Sequence, residues 1–120
     1  MANENTILYD VKKRLDMDPA ADEFDLDVLS EINSAFFSLY QLGIGPAKPF
    51  DPDADTSWDE LNTSIPKKVI LEYLYLKCRL VFDPPSSSSV IDAYKDRISE
   101  LEFRMNIEVD SGGGVVNDGR

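Results

Sequence analysis

The sequence predicts an all-α fold: a small bundle of about four helices plus one short helical turn, with a flexible C-terminal tail. Three observations predict it. Apolar residues recur at intervals of three and four along most of the chain, the period of an amphipathic helix. Proline and glycine punctuate those stretches. From Asp110 onward the chain is rich in glycine and poor in large apolar groups, which marks a helical domain over 1–109 and a flexible tail over 110–120.

The first helix opens at Asn5 or Thr6, either of which caps it, and places Ile7, Leu8, Val11 and Leu15 on one side. Lys12, Lys13 and Arg14 near its end suit the negative pole of the helix dipole. Asp16-Met17-Asp18-Pro19 then breaks the pattern, because proline disfavours helical geometry in the residue before it. A second helix starts at Asp22 or Asp25 and carries Leu29, Ile32, Phe36 and Leu39 on one face, with Asp27, Glu31, Ser34, Ser38 and Gln41 on another. Gly43 ends it as a left-handed cap, and Gly45-Pro46 keeps the chain from resuming it.

A polar, proline-rich loop leads to Ser57, which with Glu60 has capping-box spacing, so a short turn brings Trp58 and Leu61 inward. The third helix opens at Ser64-Ile65-Pro66 and runs to Phe82. Its apolar residues cover most of its circumference, with Leu71, Tyr75 and Phe82 opposite the stripe of Val69, Tyr73, Leu76 and Leu80. Such a helix is either central in the bundle or partly covered by a neighbouring subunit. Asp83-Pro84-Pro85 stops it, the serines 86–89 form a turn, and Ser89 with Asp92 has capping-box spacing for a last helix. That helix carries Tyr94, Ile98, Leu101 and Met105, with Glu100 and Arg104 paired on its surface.

Composition excludes several classes of function. The 120 residues suit one domain, and a charged content of 29% with an apolar content of 42% is ordinary globular usage. The longest apolar runs are far below the roughly 18–20 residues of a membrane span, and the N-terminus lacks the pattern of a signal peptide. The chain is therefore expected to interact with no membrane and to stay where it is made. Twelve basic residues against 23 acidic ones give a net charge of -11, which disfavours ordinary binding to phosphate backbones. Residues 1–60 hold 14 acids and four bases, whereas 61–120 hold nine and eight, so the N-terminal half is the electrostatic face.

With no histidine, the commonest general base near neutral pH is missing, as are Ser-His and Cys-His nucleophile pairs. The single cysteine, Cys78, falls in an apolar helical pattern and reads as a small core hydrophobe. Zinc sets built from Cys and His are excluded, which leaves carboxylates and a hard cation. Asp51, Asp53, Asp55 and Asp59 stand at positions 1, 3, 5 and 9 of an EF-hand-like loop, but Thr56 replaces its glycine and Asn62 its closing glutamate. The loop reads as solvated and acidic. Gly43-Ile44-Gly45-Pro46 follows a helix, unlike a phosphate cradle, which opens one. The carboxylates Glu23, Asp25, Asp27 and Glu31 suit a helix start better than an acid-base pair. The expectation is a protein with no catalytic residues, no cofactor and no metal.

Several segments, taken in order, resemble phage head-tail connector proteins, the head-completion adaptors. They are Ile7-Leu8-Tyr9-Asp10-Val11-Lys12, Glu23-Phe24-Asp25, Ile32-Asn33-Ser34-Ala35-Phe36, and Gln41-Leu42-Gly43-Ile44-Gly45-Pro46, followed by Trp58. Tyr73-Leu74-Tyr75-Leu76-Lys77-Cys78-Arg79-Leu80, Phe82-Asp83-Pro84-Pro85 and Glu100-Leu101-Glu102-Phe103-Arg104-Met105-Asn106 continue the series, which spans about 7–107. Each segment also has a local reason in capping, packing or turn chemistry; their joint order carries the resemblance.

The resemblance implies a non-enzymatic structural protein of a tailed phage: a homo-oligomeric ring, commonly of twelve copies, between portal and tail-completion proteins. It implies residence in the virion neck after synthesis in the host cytoplasm, with genome DNA passing through the channel without specific binding. On that reading the interface candidates are Gln41, Gly43, Gly45, Pro46, Tyr75, Arg79, Phe82, Asp83, Pro84 and Pro85, with Gly112, Gly113 and Gly114 in a tail that orders against a partner. Tyr75 is the expected aromatic anchor. Some carboxylates of the acidic half are expected to line the channel and repel DNA. The alternative is a small acidic inhibitor that mimics DNA and occupies a basic site on a host protein.

Overall fold

A computed structural model describes residues 4–44, 50–61 and 63–112. Four α-helices and a 3-10 turn follow one another: α1 Ile7–Arg14, α2 Asp25–Gln41, the turn Trp58–Glu60, α3 Lys67–Phe82 and α4 Ser88–Gly112. Among the described residues the only sheet-like pairing is one antiparallel bridge, Thr6 to Ser57. The all-α bundle expected from periodicity is the fold.

Thr6 is the cap of α1, its Oγ1 accepting the Tyr9 N–H at 3.2 Å. The end of α1 departs from the expectation that Pro19 stops it. Asp16 takes a φ of 64°, and the N–H groups of Asp16 and Met17 turn back to the carbonyls of Lys13 and Lys12 at 3.1 and 2.9 Å. This is the double bond pattern of a Schellman cap, with aspartate in the left-handed position that glycine usually holds. The same motif closes α2 where glycine was expected: Gly43 has a φ of 78°, Gly43 N–H reaches Tyr40 O at 3.0 Å and Ile44 N–H reaches Leu39 O at 2.8 Å. Ile44 and Leu39 are both buried, the apolar contact pair of that motif.

The apolar face of α2 buries Val28, Leu29, Ile32, Ala35, Phe36 and Leu39. α3 lies against each of the other three helices, which accounts for its all-round apolar character. Ile70, Tyr73, Leu74, Leu76 and Cys78 are buried along it, while Val69, Leu71, Tyr75, Leu80 and Phe82 pack at the margin of the core. Pro66 stands at the cap position, one residue before the helical turn in which it was expected.

α4 contributes Ile98, Leu101 and Met105 to the core and runs antiparallel to α3, since Arg79 lies over Tyr94 whereas Glu72, nearer the start of α3, meets Arg97 further along α4. The expected Glu100–Arg104 pair is present at 2.8 Å. Two boundaries differ from expectation. Ser87, not Ser89, precedes the first helical residue, and its carbonyl accepts the Ile91 N–H at 3.0 Å. At the other end α4 continues to Gly112, so Gly112 belongs to the helix and not to a tail. The backbone bonds of its last turn propagate from the packed turn that holds Met105 and Val109, overriding a local sequence poor in helix formers. Gly113 and Gly114 lie outside the described residues, as do Gly45 and Pro46.

Candidate interaction surfaces

Of the polar groups near the core, Lys12 and Trp58 have structural partners, whereas Asn33 Oδ1 on α2 is buried without a hydrogen-bond partner among the described residues. Lys12, read from the sequence only as a charge that suits the helix dipole, is 2% exposed. Its Nζ donates to Asp25 Oδ1 at 2.6 Å, to Pro19 O at 3.2 Å and to Ala21 O. One cation thus gathers the loop after α1 and the start of α2. The sequence signal was available: Lys12 follows Val11 and lies one turn beyond Leu8 on the buried side of α1.

Trp58 is buried, and its indole N–H donates to Asp10 Oδ2 at 2.7 Å. Lys67 completes the cluster, 3.1 Å from the same oxygen and 5.2 Å above the indole. The N-terminal segment is pinned beside it by Ile7 N–H to Thr56 O at 3.1 Å and Trp58 N–H to Asn5 O at 3.2 Å. The capping box at Ser57 is formed, with Glu60 Oε2 accepting the Ser57 N–H at 3.0 Å.

In the acidic loop, Asp53 Oδ1 accepts from Asp55 N–H and from Thr56 Oγ1, each at 2.9 Å. The Asp55 N–H bond, and after it the Thr56 hydroxyl, hold the Asp53 carboxyl below its usual range. Asp59 accepts from Asn5 Nδ2 at 3.2 Å. Of the four carboxylates with EF-hand spacing, Asp53 is thus engaged in the turn and Asp59 with Asn5, and no group of three or more His, Cys, Asp or Glu that could hold a metal ion occurs among the described residues.

Cys78 is fully buried. Burial, with the nearby Glu31 carboxylate adding to it, pushes the thiol up to about 12. Because the folded value lies above the unfolded one, stability is unaffected by this group below its ordinary value of 9.0 and declines as pH rises from there towards about 12. A thiol reagent at pH 8 is expected to label the native protein at the rate of global or local opening only, and to react at once in urea; immediate reaction of the native protein would place Cys78 outside the core.

The described interface candidates do not converge on one surface. Gln41 and Gly43 are exposed where α2 ends, and Leu42 O there accepts from Asn106 of α4 at 3.2 Å. Arg79, Phe82, Asp83, Pro84 and Pro85 occupy the far end, where α3 gives way to the returning α4, and Tyr75 stands midway along α3. Tyr75 is half-buried, with the Arg14 guanidinium 5.1 Å from its ring and Arg79 Nη1 donating to its hydroxyl at 2.7 Å. Arg79 also reaches Asp83, donating to the backbone carbonyl at 2.5 Å. The Tyr75 hydroxyl raises the Arg79 guanidinium above its ordinary value.

Two surfaces escaped sequence reasoning. Phe103, Ile107 and Leu42 are 66%, 49% and 45% exposed, and they line a shallow groove of about 410 Å³ where α4 passes the end of α2. A cleft of about 490 Å³ lies between α3, α4 and the end of α1. Ile65, Val69, Leu101 and Met105 form its floor; Arg14, Lys68, Arg97 and Arg104 stand around it with Glu72 and Glu108. Arg97 donates to Glu72 at 2.8 and 3.0 Å and to Glu100 at 2.9 Å, which raises the guanidinium and lowers both carboxylates. Periodicity assigns each residue to a face of its own helix, but a cleft built from three helices becomes visible only when they are assembled.

Fold and surfaces together define a small helical protein with apolar and charged faces open to partners. The chain belongs to the phage connector proteins, whose family model matches residues 7–112. The match ends with the last helical residue of α4. Neither the curated proteins nor the solved structures contain a match. Membership makes this a structural phage protein of the virion that interacts with other head and tail proteins, in a family that is in general non-enzymatic. No described helix is long and apolar enough to cross a membrane.

Proposed function

We propose that this chain is a head-tail connector subunit that forms a ring between the portal and the tail and works by binding, without a catalytic step. The family match over nearly the whole helical domain carries the reading. The exposed Phe103, Ile107 and Leu42 support it, since large apolar groups clustered on a small surface are characteristic of contacts between proteins. Tyr75 remains the candidate aromatic anchor, midway along α3, with Arg79 holding its hydroxyl and Phe82 and Pro85 half-buried further along the chain. The excess of carboxylates in residues 1–60 suits a channel wall from which DNA slides free.

The test is the mass of the purified protein by light scattering, with negative-stain imaging, alone and mixed with portal particles. Rings, or added density beneath the portal, are expected. A persistent monomer that leaves portal particles unchanged would instead favour the acidic inhibitor of a host protein.

A further inference from the structure

The start of α2 carries apolar side chains that the fold leaves uncovered. Leu26 is 83% exposed and Phe24 53%, although Val28 and Leu29, a few residues on, are buried. Asp22, Glu23 and Asp27 around them are exposed and in no ion pair among the described residues. Carboxylates at this point suit the helix dipole, but the dipole gives no reason for a leucine and a phenylalanine in water.

The cleft between α3 and α4 has the complementary character. Its floor is apolar, and a third of the chain's twelve basic residues stand around it against two acids, Glu72 and Glu108, in a protein whose net charge is -11. Arg14 and Lys68 are exposed there and in no ion pair among the described residues.

The two surfaces are separated within one copy. Leu42, at the far end of α2 from Leu26, accepts a hydrogen bond from Asn106, next to Met105 of the cleft. At 1.5 Å per residue, Leu26 lies about 24 Å along α2 from that point. On α1, Lys12 reaches towards the start of α2, whereas Arg14, two residues on and about 200° around the helix, borders the cleft. A chain therefore presents knob and cleft on different sides of itself.

We infer that, in the ring proposed above, on which this inference rests, the acid-flanked Phe24–Leu26 start of α2 in one copy docks into the basic-rimmed cleft between α3 and α4 of the next. The contact joins unlike surfaces, the heterologous geometry that closes into a ring when the rotation per subunit permits. Leu26 enters over Val69 and Leu101, and Asp22, Glu23 and Asp27 face Arg14, Lys68 and Arg104. Apolar contact supplies the hold, and the charges select register and direction.

The test uses the full chain with Leu26→Asp and Lys68→Glu, both at exposed positions, with far-UV circular dichroism and melting expected to match the wild type. Leu26→Asp is expected to raise the concentration for half-assembly by roughly thirtyfold and Lys68→Glu by about tenfold, read by light scattering and by imaging on portal particles. Mixing the variants leaves one intact knob and one intact cleft per pair, so they are expected to form dimers and no rings. If the wild type forms rings and either variant assembles at the wild-type concentration, the placement is overturned while the ring stands. A wild type that stays monomeric, alone and with portal, overturns both.

Discussion

Lys12→Ala is expected to lower the unfolding free energy by about 3–5 kcal/mol, the range for removing one partner of a buried ion pair. The side chain is almost fully enclosed and serves Asp25 and two backbone carbonyls at once, so truncation leaves three acceptors without their donor. Asp25, whose side chain is 15% exposed, recovers some solvation, which places the effect towards the lower end. Lys12→Met keeps most of the stem in place and removes only the charge, so its cost is expected to be smaller, about 1–3 kcal/mol. Urea unfolding followed by circular dichroism measures both. A Lys12→Ala chain within about 0.5 kcal/mol of wild type would mean that the loop between α1 and α2 is held by its apolar contacts alone.

Trp58→Ala is expected to cost a similar amount, about 3–5 kcal/mol, because it removes the largest side chain of the turn and opens a cavity beside α1 and α3. The structure divides that loss into parts. Trp58→Phe retains much of the apolar volume but gives up the bond to Asp10, which keeps Lys67 as a partner, so about 1.5 kcal/mol is expected. Urea midpoints followed by circular dichroism separate the two variants, the native fluorescence being lost with the chain's single tryptophan. If Trp58→Ala were nearly neutral, the segment 50–61 would be no part of the cooperative unit, and the pairing of Thr6 with Ser57 would contribute little.

Helix existence and the inward faces were legible because they depend on neighbours three and four residues away, which the sequence displays directly. Leu29, Ile32, Phe36 and Leu39 on α2, and Ile98, Leu101 and Met105 on α4, were placed correctly from spacing alone. The end of α2 was legible because Gly43 can adopt positive φ without strain. The end of α1 was not, since Asp16 takes the same conformation without glycine's signature. The burial of Lys12 was missed for a related reason. A lysine is a surface residue by default, and only the carbonyls of Pro19 and Ala21 and the carboxylate of Asp25, brought in from the loop and the next helix, make its burial tolerable.

What the sequence by itself determined is the all-helical class, the order of the elements, the buried stripes of α2 and α4 and the acidic bias of residues 1–60, all of them local or additive properties. Only the tertiary structure decided that Lys12 is a core residue, that Gln41 and Asp83 stand at opposite ends, and that a basic-rimmed cleft lies between α3 and α4. The physical reason is one of range. Periodicity and capping act within a turn of helix, whereas a cleft, a buried charge and the separation of two surfaces arise from side chains that meet only after distant helices have packed.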